Sequence, residues 1–253
     1  MRLFVKFGAL FFSTLLIALL ATPVSSQEIS KELMTSNGKK RAYYLFVPAK
    51  LNPAAPSPLI VMLHGSGRNG LSLVEKWKDL AKKEKVILVG PDASDSQNWR
   101  IPEDGPDFVH ELVEALKARY PVNARRVYLF GHSAGAGQAL YLSLLESEYF
   151  AATAIHAGAL HGSQDNQLIE RAKRKIPIAI FVGTNDSFFP LPVVRATRDA
   201  LNAKGFNSEL TEIKGHTHWY YDKAPEINRS AWEFLKRYEL TGEPLYEEYQ
   251  FNR

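Results

Sequence analysis

The stretch Arg126-Val127-Tyr128-Leu129-Phe130-Gly131-His132-Ser133-Ala134-Gly135 constrains this chain more than any other. An apolar run ends in Gly-x-Ser-x-Gly, and a helix-forming pattern follows at once. A turn that carries a strand into a helix over so few residues presses two backbones together, so positions 131 and 135 take glycine. The serine between them is left on a cramped corner with its hydroxyl directed out of the fold. With a strand before it and a helix after it, the motif reads as the seat of a nucleophile. Without that context it would be an ordinary strand-to-helix turn.

The rest of the chain alternates in the same manner. Residues 29–47 alternate about Asn37-Gly38, a favoured hairpin turn, and predict an antiparallel pair at the start of the sheet. Residues 48–58 carry Pro48, Pro53, Pro56 and Pro58 and read as a surface connection. Continuous apolar runs at 59–63, 86–89 and 176–182 fit parallel strands buried on both faces, with a weaker strand at 151–155 and another at 208–213. Helical spacing is expected over 71–83, 107–120, 135–146, 191–203 and 225–238, and a long irregular loop over 90–105. The fold class is therefore α/β: a mostly parallel central sheet with an antiparallel N-terminal pair and helices on both faces. Residues 158–176, only about twenty of them, read as a loop containing glycine and histidine, too short for a large cap domain.

A chain of 253 residues suits one large domain. Its first 26 residues stand apart. Arg2 and Lys6 precede an apolar run at 7–21, and Val24-Ser25-Ser26 places small residues before Gln27. This predicts a secretory signal peptide cut after Ser26, leaving 27–253 as a secreted or periplasmic domain with no stable membrane association. A retained N-terminal anchor is the competing reading. Removal of Arg2 and Lys6 leaves 29 basic residues against 27 acidic ones, a net charge of +2. Basic residues are interleaved with acids, which argues for solvated helix faces and against a nucleic-acid partner. There are no cysteines, which excludes disulfides, thiol nucleophiles and lipidation at cysteine.

A serine hydroxyl is a poor nucleophile until a base takes its proton, and the base needs a third group to hold its tautomer. Asp186, directly after the 176–182 strand, is the candidate acid; its alternative role is to cap the following helix. After the 208–213 strand come His216 and His218, and spacing does not choose between them as the base. The two could also form a His-x-His metal pair, but no Cys or third His nearby completes such a set. Two amides are needed to hold a developing oxyanion. Ala134, after the nucleophile, supplies one, and Ser66 in His64-Gly65-Ser66-Gly67 supplies the other. Trp99, Phe188, Phe189 and Trp219 lie on the same loops and are candidates for an apolar or aromatic pocket, or else core aromatics. No cofactor is implied.

Several of these segments resemble one family group. Phe108-Val109, Tyr120-Pro121-Val122-Asn123, the stretch 126–135 and Gly183-Thr184-Asn185-Asp186 are similar to α/β-hydrolase esterases that include polyhydroxybutyrate-depolymerase-like proteins, feruloyl esterases and S-formylglutathione hydrolase. The resemblance spans nearly all of 27–253 and implies the α/β-hydrolase fold. Aligning Gly215 and Tyr220-Tyr221 on the base segment of the S-formylglutathione hydrolases implies His218 as the base. The chain departs from depolymerase-like members at Gly135-Ala136 and at the adjacent His218-Trp219. The expectation is an exported carboxylic ester hydrolase using Ser133, His218 and Asp186 on a small-molecule or polymeric ester. A serine peptidase is the alternative among enzymes. A non-catalytic binding protein on the same scaffold is the alternative outside them.

Overall fold

The computed structural model of the chain describes residues 28–160 and 162–248, with residues 162–166 described through their backbone alone. The expected leader, residues 1–26, lies outside the described residues.

The central strands explain the architecture. Along β3 (Ser57–Leu63) every side chain is buried. Leu59, Val61 and Leu63 join one apolar cluster, while Ile60 and Met62 join another. A strand with oil on both faces requires helices on both sides. The sheet contains β1 (Ser30–Ser36), β2 (Lys39–Phe46), β3, β4 (Ile87–Pro91), β5 (Val122–His132), β6 (Ala152–His156), β7 (Ile178–Gly183) and β8 (Ser208–Ile213), in the order β1-β2-β4-β3-β5-β6-β7-β8. β1 pairs with β2, and β2 with β4, antiparallel; all later pairings are parallel. Asn37 and Gly38 both have positive φ, 49° and 72°, as the tight turn between β1 and β2 requires.

α1 (Leu71–Glu84) and α6 (Ala224–Leu235) cover one face, where Trp77, Ala81, Ile227, Ala231 and Phe234 pack on Met62, Tyr128 and Phe130. α2 (Pro106–Lys117), α3 (Ala134–Leu145), α4 (Gly162–Arg171) and α5 (Leu191–Ala203) contribute to the other cluster. Each large aliphatic side chain sealed in this way contributes about 1.5–3 kcal/mol relative to exposure. α4 is an element that the sequence did not predict: it occupies what was expected to be a loop between β6 and β7. Because all the parallel strands run the same way, their carboxyl ends form one rim, and the loops after β3, β4, β5, β6, β7 and β8 meet there. Among the described residues, no helix is long and apolar enough to cross a membrane.

Candidate active site

Ser133 joins β5 to α3 with φ 56° and ψ −120°, a backbone conformation that side chains disfavour. The two flanking glycines explain how the corner is tolerated. A Cβ on Gly135 would lie 1.9 Å from the carbonyl oxygen of Leu63 on the neighbouring strand, and one on Gly131 would lie 2.1 Å from the carbonyl oxygen of Gly135. No side chain fits either position. The Ser133 amide donates to the His156 carbonyl at 3.0 Å, tying the corner to the end of β6.

The structure brings Ser133, His218 and Asp186 together. His218 Nε2 is 2.9 Å from Ser133 Oγ, and His218 Nδ1 is 3.0 Å from Asp186 Oδ2. The Asp186 side chain is fully buried. Its other oxygen accepts the amides of Phe188 and Phe189, each at 2.9 Å, so the carboxylate shapes its own loop as well as holding the imidazole. A carboxylate in that position fixes the Nδ1–H tautomer and leaves Nε2 free to take a proton from the hydroxyl. The Phe188 ring lies 4.7 Å from the His218 ring, and the Phe189 ring stacks near-parallel at 5.8 Å.

His216 is directed elsewhere. It is buried, and its Nε2 lies 3.2 Å from Nε2 of His156. Its backbone carbonyl accepts the amide of Asn185, while the Gly215 amide donates to Thr184 Oγ1 at 2.8 Å, so the loop carrying His218 is sewn to the loop carrying Asp186.

The segment after β3 approaches the corner closely: a Cβ on Gly65 would come within 3.3 Å of both the His132 carbonyl oxygen and Ser133 Cβ. Among the described residues, no backbone or side-chain acceptor takes the amides of Ser66 or Ala134. His64 braces this segment. Its Nδ1 donates to the Gly65 carbonyl at 2.9 Å and its Nε2 accepts the Ala93 amide at 3.1 Å. Burial holds its pKa below the usual imidazole range.

The aromatics divide. Trp99 is half-buried against the apolar cluster and donates its indole N–H to the His64 carbonyl at 2.9 Å. Phe189 also packs on that cluster. Phe188 is 73% exposed and Trp219 44% exposed. Arg68, on the segment after β3, places its guanidinium 4.9 Å from the Trp219 ring and 5.1 Å from the Tyr221 ring, bridging two rim loops. The motif itself contains His132, but nothing in the sequence announces its partners: His132 Nδ1 lies 3.1 Å from His156 Nδ1. Arg68 likewise gives no local signal. Among the described residues, no group of three or more His, Cys, Asp or Glu could hold a metal ion.

A sequence profile of the dienelactone hydrolase family matches residues 91–238, more than half of the chain. The chain belongs to the dienelactone hydrolase family. The matched region carries the Ser133 corner, Asp186 and His218, and lacks the Ser66 segment. Among other relatives, the bifunctional acetylxylan esterase/xylanase of Neocallimastix patriciarum is 29% identical over 153 residues, covering 59% of this chain and 22% of that protein. The poly(3-hydroxybutyrate) depolymerase of Ralstonia pickettii is 24% identical over 160 residues, covering 52% of this chain and 32% of that protein. The chain thus spans a third or less of the length of these two relatives. Among solved structures, a thermostable esterase superposes with a TM-score of 0.67 at 23% identity, covering 83% of this chain and 63% of the other. That similarity shows the α/β-hydrolase fold, which this dienelactone hydrolase family member shares.

Proposed function

We propose that the protein is an exported serine hydrolase that cleaves carboxylic esters through an acyl-enzyme. The observation that carries this reading is the unbroken hydrogen-bonded series from the Ser133 hydroxyl through His218 to the buried Asp186 carboxylate. In the proposed reaction Ser133 Oγ attacks the acyl carbon while His218 Nε2 takes its proton. The amides of Ser66 and Ala134 hold the resulting oxyanion. Collapse of the intermediate expels the alcohol, which receives the proton from His218, and water then repeats the sequence to release the acid. Each oxyanion donor of this kind is worth roughly 3–4 kcal/mol of transition-state stabilisation.

Family membership and the ester-cleaving relatives support the reaction class. Two relatives are named for polymeric substrates, and the one helix between β6 and β7 has only 10 residues. Both observations favour extended or polymeric esters over small enclosed ones. Phe188 and Trp219 are the proposed apolar contacts for such a substrate, with Trp99 bracing the wall behind them. Export rests on the leader pattern alone, and N-terminal sequencing of protein from the culture medium or periplasm would test cleavage after Ser26. The enzymatic reading is tested with a fluorophosphonate probe and p-nitrophenyl acyl esters. Labelling and turnover by the wild type, both lost in Ser133→Ala with the fold retained, is the expected result. A wild type that neither labels nor turns over any ester in the panel would overturn it.

A further inference from the structure

His156, the last residue of β6, is fully buried and touches both halves of the candidate site. Its backbone carbonyl accepts the amide of Ser133 at 3.0 Å. Its Nδ1 meets His132 Nδ1 at 3.1 Å, and its Nε2 meets His216 Nε2 at 3.2 Å. His216 stands two residues before His218, and its carbonyl is bound by Asn185, next to Asp186. One side chain therefore spans from the corner that carries the hydroxyl to the loop that carries the imidazole.

His132 Nδ1 also lies 3.4 Å from the His156 carbonyl oxygen, which can only accept. A proton on His132 Nδ1 satisfies both neighbours, so His156 Nδ1 is the acceptor. Neutral imidazole has one donor and one acceptor nitrogen, so His156 Nε2 carries the proton and donates to His216. Burial keeps His132 and His156 uncharged, with their pKa values pushed down to about 3 and about 2. The three rings form a one-way chain from corner to loop. His132 also lies 5.1 Å, ring to ring, from His218.

We infer that His156 is a positioning residue: its Nε2, donating to His216, holds the base loop against the Ser133 corner and so sets the separation of Ser133 and His218. The inference rests on the proposed hydrolase reading. A misplacement of about 1 Å at a reacting group is enough to slow turnover by up to about 100-fold.

The amide of Gln can reproduce the Nε2 donor, and the amide oxygen of Asn can reproduce the Nδ1 acceptor. The test is therefore steady-state kinetics on His156→Gln, His156→Asn and His156→Phe with a p-nitrophenyl ester, alongside circular dichroism. If the base-loop arm governs the geometry, His156→Gln keeps kcat within about threefold of wild type. His156→Asn and His156→Phe then lose between about 10- and 100-fold in kcat with KM little changed. His216→Phe should show the same loss and add none on top of His156→Phe. Should His156→Phe fail to fold, the Gln and Asn pair decides. Loss confined to KM, equal impairment of Gln and Asn, or kcat within twofold of wild type in folded His156→Phe or His156→Asn would overturn the inference. Wild type that labels with the fluorophosphonate while the variants stay unaffected sinks only this inference; wild type that fails to label sinks the hydrolase reading first.

Discussion

The loop between β4 and α2 should be held by a single buried ion pair, and Asp104→Asn is the perturbation that tests it. Asp104 is fully buried and Arg41 nearly so, with Arg41 Nη2 2.5 Å from Asp104 Oδ1. The carboxylate accepts three further hydrogen bonds: from the Ser94 amide at 2.9 Å, the Ser94 hydroxyl at 2.7 Å and the Arg100 amide at 2.7 Å. Arg41 also donates to the carbonyls of Asp92 and Glu103, and its guanidinium lies 3.7 Å from the Phe108 ring centre. The pair thus joins β2, both ends of the loop and α2. An asparagine would replace one acceptor oxygen with an NH2 group that faces donors, and it would leave the Arg41 charge sealed in without a counterion. Breaking a buried pair from one side costs about 3–5 kcal/mol. For a domain of this size that corresponds to a fall in Tm of roughly 6–20 °C. Urea unfolding followed by circular dichroism gives the stability, and limited proteolysis within residues 92–104 reports the loop. Replacing both partners with leucine should cost less than the two single changes added together. An Asp104→Asn protein within about 1 kcal/mol of wild type, with an unchanged m value, would refute the idea that this pair holds the loop.

Acid should weaken the fold well before carboxylates titrate. His132 and His156 have folded pKa values of about 3 and about 2, against roughly 6.5 in an unfolded chain. Between those values the unfolded chain binds more protons, so stability is lost as pH falls through 6.5. At pH 5.5 the two groups together remove about 3 kcal/mol relative to pH 7.5. His64, His110 and His216 are also lowered and act with the same sign. Urea midpoints that stay level or rise from pH 7.5 to 5.5 would contradict this. Trp219→Ala removes the exposed ring beneath Arg68. It should raise KM for phenolic or long-chain esters by about 5- to 10-fold, corresponding to about 1–1.4 kcal/mol, and leave acetyl esters nearly unchanged. An unchanged preference between ester classes would remove Trp219 from the substrate surface.

Much of the fold was legible because its signals are local. The 59–63 run sits within β3, the 176–182 run overlaps β7 but starts two residues before it, the 208–213 strand coincides with β8, and Asn37-Gly38 makes the first turn. α4 escaped because GSQDNQLIER offers only Leu168 and Ile169 as apolar residues, too few to mark a helical face. β5 begins at Val122, earlier than its apolar core suggested, because its first five residues are at least partly exposed and carry no buried-strand pattern. The serine, the acid and the pair of histidines could be found from motif and order along the chain. No spacing separates His216 from His218, since the difference lies in which ring faces Ser133 and which faces His156. The His132–His156–His216 chain and the Arg41–Asp104 pair are contacts across the sheet and between loops. Residues 24, 60 and 63 positions apart leave no periodic trace in the sequence.

The backbone of residue 133 has one last implication. Its φ of 56° suits glycine and penalises any residue with a side chain by about 1–3 kcal/mol. On the proposed reaction, glycine at this position would give a hardier molecule and an idle one. Screening variants by heat resistance alone would therefore select against the hydroxyl, and any effort to toughen this protein has to keep turnover in view at the same time.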